Sequence, residues 1–318
     1  MILKLYKSNI SLAVIIIPIL AAVLCIPILI NDFIPSTYYF NWENELFNFI
    51  NQHKISSFIL TVLFLIANSA LINFEFSKSQ LSSKITYVPA LFYLVLISFK
   101  VYILFEPYLI LHTVLLLLFR LLMTLEQNSP SLNIAFKSAL LIGVLTCFSL
   151  YYFVLVIVLY VALSTIKSFY WREWVLPIIG LVIPLLYLFS AQFIFENQVN
   201  FGDFKGRFQF QNQFQLIDYI KIGCFLLMTI LSISSLLKFY AKNSVINKKR
   251  MTILFVFTIM TIIVGLIAFY LFNMVDLGFI LPFSILFSIS AINNQTDSLL
   301  NLLLTITLIV NIAALFIA

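Results

Sequence analysis

The stretch ISLAVIIIPILAAVLCIPILI, from Ile10 to Ile30, decides the fold class of this chain. It contains no charged residue, and about 20 apolar residues are enough for a helix to cross the hydrocarbon core of a bilayer. Lys4 and Lys7 precede it, as in a signal peptide, but the run is long and has no small-residue cleavage pattern. The stretch therefore predicts a retained first transmembrane helix that acts as a signal anchor.

The composition extends this prediction to the whole chain. Hydrophobic residues make up 63% of the 318 residues and charged residues only 9%, whereas soluble domains have roughly 45–50% and about 25%. A soluble protein of this size could not bury so much apolar surface. We therefore predict an all-α integral membrane protein, with residues 1–318 forming a single polytopic membrane domain.

Long apolar runs recur along the sequence and predict about eleven transmembrane helices. Ten is the alternative count, because the fifth and sixth runs are short and nearly fused. The predicted spans are residues 10–30, 56–73, 87–105, 108–125, 134–149, 151–165, 174–195, 219–240, 252–272, 277–292 and 299–318.

The basic residues predict the orientation of these spans. With the N-terminus inside and the C-terminus outside, most of the eighteen Lys and Arg residues fall in inner loops, including the cluster Lys248, Lys249 and Arg250. Positive charge concentrates on the cytoplasmic side of membrane proteins. The sequence thus predicts a multi-pass protein of a bacterial inner (cytoplasmic) membrane, with membrane lipid as a partner. Basic patches interleaved with aromatic residues, which would indicate nucleic-acid binding, are absent.

Two predicted outer loops are long enough to have a function. Residues 31–55 contain apolar side chains at a spacing that suits an amphipathic helix lying in the membrane interface. Residues 196–218 are rich in phenylalanine. Period-two alternation within this second loop is compatible with a short strand or hairpin, and a flexible aromatic loop on the membrane surface is the alternative.

Acidic residues of the first outer loop are the candidate catalytic residues, namely Asp32, Glu43 and Glu45. A carboxylate at the membrane surface can act as a general base toward a hydroxyl group. Lys205 and Arg207 of the second outer loop are candidate substrate-binding residues, because basic groups can bind a lipid phosphate. The alternative for all five is a solvated loop with ordinary surface charges.

Lys100, Glu106 and His112 are further candidates for substrate binding, since ionisable groups bordering a span are costly unless paired or hydrated. Lys100 could extend to the interface, pair with Glu106 or face a cavity. The alternative for His112 is a hydrogen-bonded packing residue. Two isolated histidines and three scattered cysteines give no metal-ligand spacing. No cofactor or metal site is therefore predicted, although a divalent metal stays open.

Three segments carry a family resemblance: residues 84–93 (KITYVPALFY), residues 168–174 (SFYWREW) and residues 136–156 between them. With these segments the chain resembles an uncharacterised family of polytopic inner-membrane proteins from Bacteroidota-type bacteria. The resemblance covers roughly residues 51–187. It implies a membrane fold but carries no known chemistry.

The layout more loosely resembles multi-span glycosyltransferases that use lipid-phosphate-linked sugars. Those enzymes share a first outer loop with acids and an amphipathic helix, followed by paired short spans. The resemblance implies that a carboxylate of that loop serves the acceptor or a metal, and Asp32, Glu43 and Glu45 are the matching positions. The chain departs from such enzymes in having no adjacent acidic pair and no soluble outer domain.

Three functions are compatible with these observations. The first is a cell-envelope enzyme that transfers a glycan or lipid-linked sugar at the outer leaflet. The second is a non-catalytic membrane subunit of an envelope complex, with other membrane proteins as partners. The third is a transporter or lipid flippase, which would show broken helices directed at a site within the membrane.

Overall fold

The computed structural model describes residues 3, 6, 10–30, 41–79, 81, 86–100, 103–125, 132–166, 171–196, 216–272, 276–293 and 297–317. All regular structure among these residues is helical, which confirms the predicted all-α architecture. The helices, numbered along the chain, are α1 (Ile10–Ile30), α2 (Asn41–Gln52), α3 (Lys54–Lys78), α4 (Val88–Ile97), α5 (Pro107–Met123), α6 (Leu132–Phe148), α7 (Val156–Ile166), α8 (Trp171–Glu196), α9 (Leu216–Lys242), α10 (Val245–Phe272), α11 (Ile280–Asn293) and α12 (Asp297–Ile317). A 3-10 helix, Leu150–Leu155, leads into α7.

Within the part of the chain that the structure describes, five helices are long and apolar enough to cross a membrane, which supports a transmembrane protein. Shorter apolar helices pack among them. The eleven-span count and the orientation stay predictions. The five long segments are Leu12–Ile30, Lys54–Lys78, Trp171–Ile194, Tyr219–Lys242 and Val245–Tyr270.

The third predicted span, residues 87–105, differs most from the structure. Only Val88–Ile97 forms a helix there, with Pro89 in its first turn, where the missing N–H is tolerated. At about 1.5 Å per residue, ten residues extend about 15 Å, which is half of a hydrocarbon core. Every residue of α4 is buried, because α3 and α11 pack along it and α1 and α12 also contact it. A helix too short to cross the bilayer is thus enclosed by longer ones.

The fifth and sixth predicted spans are separate short elements. Helix α6 ends at Phe148, and Ser149 adopts an extended backbone before the 3-10 helix begins. This 3-10 helix packs against α6 and α10. The change of helix type gives Tyr152 and Leu155 buried positions in the interior.

Helices α6 and α8 approach each other closely through two glycines. A Cβ atom on Gly180 would lie 2.7 Å from the carbonyl oxygen of Phe136, and one on Gly143 would lie 2.8 Å from that of Leu181. Small residues allow helix backbones to come close in membranes, where packing rather than the hydrophobic effect drives association. The opposite face of α8 is exposed and apolar, as expected of a helix in contact with lipid.

The two predicted outer loops are described to different extents. Helix α2 forms within residues 31–55 and packs against α3, at the place where the sequence predicts an amphipathic interfacial segment. Residues 31–40 lie outside the described residues. So do residues 197–215, which include the region of the predicted strand or hairpin.

Candidate functional site at the turn between α4 and α5

Polar contacts converge on the turn that joins α4 to α5, residues 98–106, of which 98–100 and 103–106 are described. The last carbonyl groups of any helix have no partner within that helix, and in a buried helix they need side-chain donors. Asn311 Nδ2 of α12 donates to Val95 O at 3.1 Å and to Ser98 Oγ at 2.6 Å. Lys221 Nζ of α9 donates to Phe99 O at 3.2 Å. The positive charge of Lys221 is also stabilised by the negative end of the α4 dipole.

Helix α2 is attached to the same turn. Asn51 Nδ2 donates to Phe105 O at 2.9 Å, and Ser57 Oγ of α3 donates to Asn51 Oδ1 at 2.6 Å. The rings of Phe47 and Phe105 lie 5.5 Å apart between centroids. One polar and one aromatic contact therefore fix the end of α2 beside the start of α5. This end of the bundle, which the sequence predicts to face outward, is called the predicted outer end.

Lys100 and Glu106 form an ion pair within the turn. The ammonium group of Lys100 also lies 4.8 Å from the ring centroid of Tyr108, a distance at which the aromatic face attracts a cation. Glu106 directly precedes Pro107, the first residue of α5. A carboxylate at this position is stabilised by the positive end of the α5 dipole. The Lys100 side chain is 32% exposed and that of Glu106 is 13% exposed. Of the alternatives for Lys100, the structure thus has the pairing with Glu106, and the ammonium group keeps access to the surroundings.

His112 lies further along α5, six residues after Glu106, and is fully buried. Its Nε2 lies 3.1 Å from Leu277 O, and its Nδ1 lies 3.0 Å from Tyr93 Oη. Because a carbonyl oxygen can only accept, Nε2 carries the hydrogen, and Nδ1 accepts from the Tyr93 hydroxyl. Both ring nitrogens are occupied, which is the arrangement of a hydrogen-bonded packing residue. The ring joins α4, α5 and the segment before α11.

Sequence reasoning did not select Asp276, which lies in the turn between α10 and α11. Its Oδ1 accepts from the Tyr152 hydroxyl and from Gly278 N, each at 2.9 Å. The residue is 7% exposed, and among the described residues its Oδ2 has no hydrogen-bond partner. Burial raises the pKa of Asp276 from 3.8 to about 6. The hydrogen bonds from Gly278 and Tyr152 act in the opposite direction and limit this rise. A buried carboxylate near a predicted membrane surface is a functional candidate by default.

The other predicted site residues are described in part or not at all. Asp32, Lys205 and Arg207 lie outside the described residues. Glu43 and Glu45 belong to α2, and their side chains lie outside the described residues. Two residues apart on a helix correspond to about 200° around the axis, so positions 43 and 45 lie on different sides of α2. The structure therefore brings together Lys100, Glu106 and the helix that carries two of the candidate acids.

No group of three or more His, Cys, Asp or Glu side chains comes together among the described residues to bind a metal ion. The chain matches no family model, no curated protein and no solved structure. The resemblances carried by residues 84–93 and 168–174 therefore stay predictions, and any function has to be argued from the turn between α4 and α5.

Proposed function

We propose that this protein is an enzyme of the bacterial inner membrane that transfers a sugar from a lipid-phosphate carrier at the outer leaflet. The proposal includes about eleven spans, with the N-terminus inside and the C-terminus outside. One observation carries it: helix α2, from the loop with the candidate acids, is fixed by Asn51 to the turn that presents Lys100 and Glu106. Such a site would have carboxylates and a cation at one membrane surface.

The role proposed for Lys100 is to bind the phosphate of the lipid carrier. Its side chain is partly exposed, at the end of the bundle that the sequence predicts to face outward. Glu106 and the ring of Tyr108 position this group, so little side-chain entropy is lost when a phosphate binds. Glu106 is a positioning residue in this proposal.

The role proposed for Asp32, Glu43 or Glu45 is that of a general base. The acceptor hydroxyl oxygen forms a bond to the anomeric carbon of the sugar, while the bond from that carbon to the phosphate oxygen breaks. The lipid phosphate leaves as an anion, and the carboxylate takes the hydroxyl proton. These roles would separate binding by Lys100 from transfer by a carboxylate.

The first experiment measures binding of radiolabelled undecaprenyl phosphate to the purified full-length protein in detergent. We expect saturable binding that Lys100→Gln weakens by at least about tenfold, because a charge-assisted hydrogen bond contributes roughly 1.5–3 kcal/mol. The matched control is Lys242→Gln, an exposed lysine at the end of α9, which should leave binding unchanged. Absence of saturable binding to the wild-type protein would contradict the proposal.

The second experiment addresses transfer. Proteoliposomes receive undecaprenyl-phosphate-linked [14C]hexose and envelope glycan as acceptor, and label in the glycan is counted. Asp32→Asn, Glu43→Gln and Glu45→Gln should each keep lipid-phosphate binding, and at least one should abolish transfer. Binding without transfer in the wild-type protein would favour the non-catalytic subunit instead.

A transporter or lipid flippase is the second candidate, and the short helices α4 and α11 favour it. They pack against each other inside the bundle, and interrupted helices at the core are typical of transport proteins. A dithionite assay with NBD-labelled undecaprenyl phosphate in proteoliposomes distinguishes the two candidates. Fluorescence of the inner-leaflet label is protected if the protein is an outer-leaflet enzyme, and is lost rapidly if it moves the lipid across the bilayer.

A further inference from the structure

We propose that the opposite end of α3 and α5 carries a binding site for one anionic phospholipid, in which Arg120 and Lys78 hold the phosphate and Arg250 lies beside them. The inference does not depend on the proposed enzymatic function. It concerns the end of the bundle where α3 and α5 end and α10 begins, called the predicted inner end because the sequence predicts it to face the cytoplasm.

Three cations from three helices meet at the end of α3. Arg120 Nη1 of α5 lies 3.6 Å from Oε1 of Glu75 on α3. Arg250 Nη1 of α10 donates to Ser79 O, the residue after α3, at 3.2 Å. Lys78 is in the last turn of α3. Glu75 pairs with Arg120, and Lys78 also acts on this carboxylate, so the described part of the cluster places several cations around one carboxylate.

The geometry of Arg120 leaves capacity for a ligand. The distance from Arg120 Nη1 to Glu75 Oε1 is short enough for an ion pair but longer than a hydrogen bond. The Arg120 side chain is 44% exposed. A guanidinium group has five N–H donors in a planar fork that suits two oxygens of one phosphate. Glu75 itself is 3% exposed, so its carboxylate lies beneath Arg120 and orients it. It would repel a phosphate less than a carboxylate at the surface would.

The apolar surroundings indicate a lipid as the source of the phosphate. Phe74 lies one turn before Lys78, and Leu117 lies one turn before Arg120. They are 46% and 37% exposed, although α3 and α5 pack along each other. The ammonium group of Lys78 lies 4.2 Å from the centroid of the Phe74 ring. Cations at the helix ends and exposed apolar residues one turn deeper match the phosphate and acyl chain of a phospholipid.

The test is native mass spectrometry of the delipidated full-length protein, titrated with phosphatidylglycerol (POPG) or phosphatidylcholine (POPC). We expect one POPG to bind in preference to POPC. The double variant Lys78→Gln/Arg120→Gln should lose POPG affinity by about fivefold for each cation removed, which is the contribution of a basic residue near an anionic surface. The matched control, Lys238→Gln/Lys242→Gln, removes two exposed lysines of α9 and should keep the wild-type affinity.

Two further variants keep the test decisive if the double variant does not fold. Arg120→Lys keeps the charge beside Glu75 but loses the planar fork, so its POPG affinity should fall by less than that of Arg120→Gln. Leu117→Ser keeps every charge and should weaken POPG binding by removing contact with the acyl chain.

Equal binding of POPG and POPC, or unchanged POPG affinity in Arg120→Lys and Arg120→Gln, would overturn the proposal. Competition by millimolar inorganic phosphate, with no effect of Leu117→Ser, would show a site for a soluble phosphate compound and would overturn the lipid assignment.

Discussion

Helices α4 and α8 are both rich in apolar residues, yet α4 is buried and α8 is largely exposed. Helix α4, Val88–Ile97, is buried along its whole length. Helix α8, Trp171–Glu196, has few buried residues, and only 17% of its most apolar stretch is buried. Hydropathy cannot distinguish them, because lipid and protein interior are equally apolar. Length does distinguish them, since a helix of ten residues cannot reach across a bilayer and must be covered by protein.

The two helices are also attached by different forces. The end of α4 is joined to the bundle by two polar side chains. Asn311 donates to Val95 O of the helix, and Lys221 donates to Phe99 O in the turn that follows it. Helix α8 is joined to α6 by close backbone contact at Gly143 and Gly180. Substitutions that remove one kind of attachment should therefore leave the other intact.

The largest effect is expected from Gly180→Leu, which tests the attachment of α8. Its Cβ would lie 2.7 Å from a backbone oxygen of Phe136, and a backbone atom cannot move aside cheaply. We expect a loss of about 3 kcal/mol, at the upper end of overpacking, measured by SDS-induced unfolding of the purified protein. The control is Gly223→Leu on α9, where a Cβ would have nothing within 4 Å. Equal stability of Gly180→Leu and Gly223→Leu would show that close contact does not attach α8.

A second effect concerns Asp276, which directly precedes Leu277, the residue that His112 contacts. Because burial raises the pKa of Asp276 to about 6 from 3.8, the folded protein holds this proton more strongly than the unfolded chain. The associated stability is complete below pH 3.8 and is lost as pH rises to about 6.

Asp276→Asn is neutral at every pH and should remove this dependence. Relative to the wild type, it should be more stable by up to about 3 kcal/mol at pH 7, and most of this difference should disappear near pH 4. SDS titrations at pH 4, 5, 6 and 7 measure the difference. Parallel curves for the two proteins would mean that Asp276 is ionised in the folded state without cost.

Asn311→Leu tests the attachment of α4 with a smaller expected effect. It removes two hydrogen bonds, while Val95 O keeps the hydroxyl of Ser98 as a donor at 2.7 Å. Interhelical hydrogen bonds in membranes contribute about 0.6 kcal/mol on average and up to about 1.7, so we expect a loss of about 1.5 kcal/mol by the same SDS assay. Ile309→Ala, at an exposed position of α12, is the matched control. A loss confined to the control would contradict the role of Asn311.

The smallest effect is expected on the exposed face of α8. Ile178→Ala changes a side chain that is 56% exposed and that we expect to face lipid. We expect a change within about 0.5 kcal/mol, as for other surface substitutions. A loss comparable to that of Gly180→Leu would show that this face is covered by another protein, and would favour the non-catalytic subunit.

Much of the fold follows from the sequence because apolar length is a local property. The runs of α1, α3, α8, α9 and α10 are long enough to be predicted as spans, and the structure has helices there. The end of α4 could not be predicted in the same way. Residues 101–105 continue the apolar run, so hydropathy extends the span to 105. The helix ends earlier, where side chains from distant helices satisfy its carbonyl groups.

The candidate site was predictable only where its residues are close in the chain. Lys100 and Glu106 are six residues apart, and their pairing was among the alternatives drawn from the sequence. Tyr152 and Asp276 are 124 residues apart, and His112 reaches Leu277 across 165. No local spacing connects such pairs. The signal that could have selected Asp276 is its position as an acid directly before an apolar run.

The distance along the chain between α4 and its polar partners has a consequence for biogenesis. Lys221 follows Phe99 by 122 residues, and Asn311 follows Val95 by 216. During translation, α4 therefore enters the membrane long before either donor has left the ribosome. Val95 O can accept from the nearby Ser98 hydroxyl, but Phe99 O must be satisfied by water or by the insertion machinery in the meantime. A nascent chain arrested between residues 100 and 220 should thus remain associated with the insertase, and release should coincide with the arrival of α9 and α12.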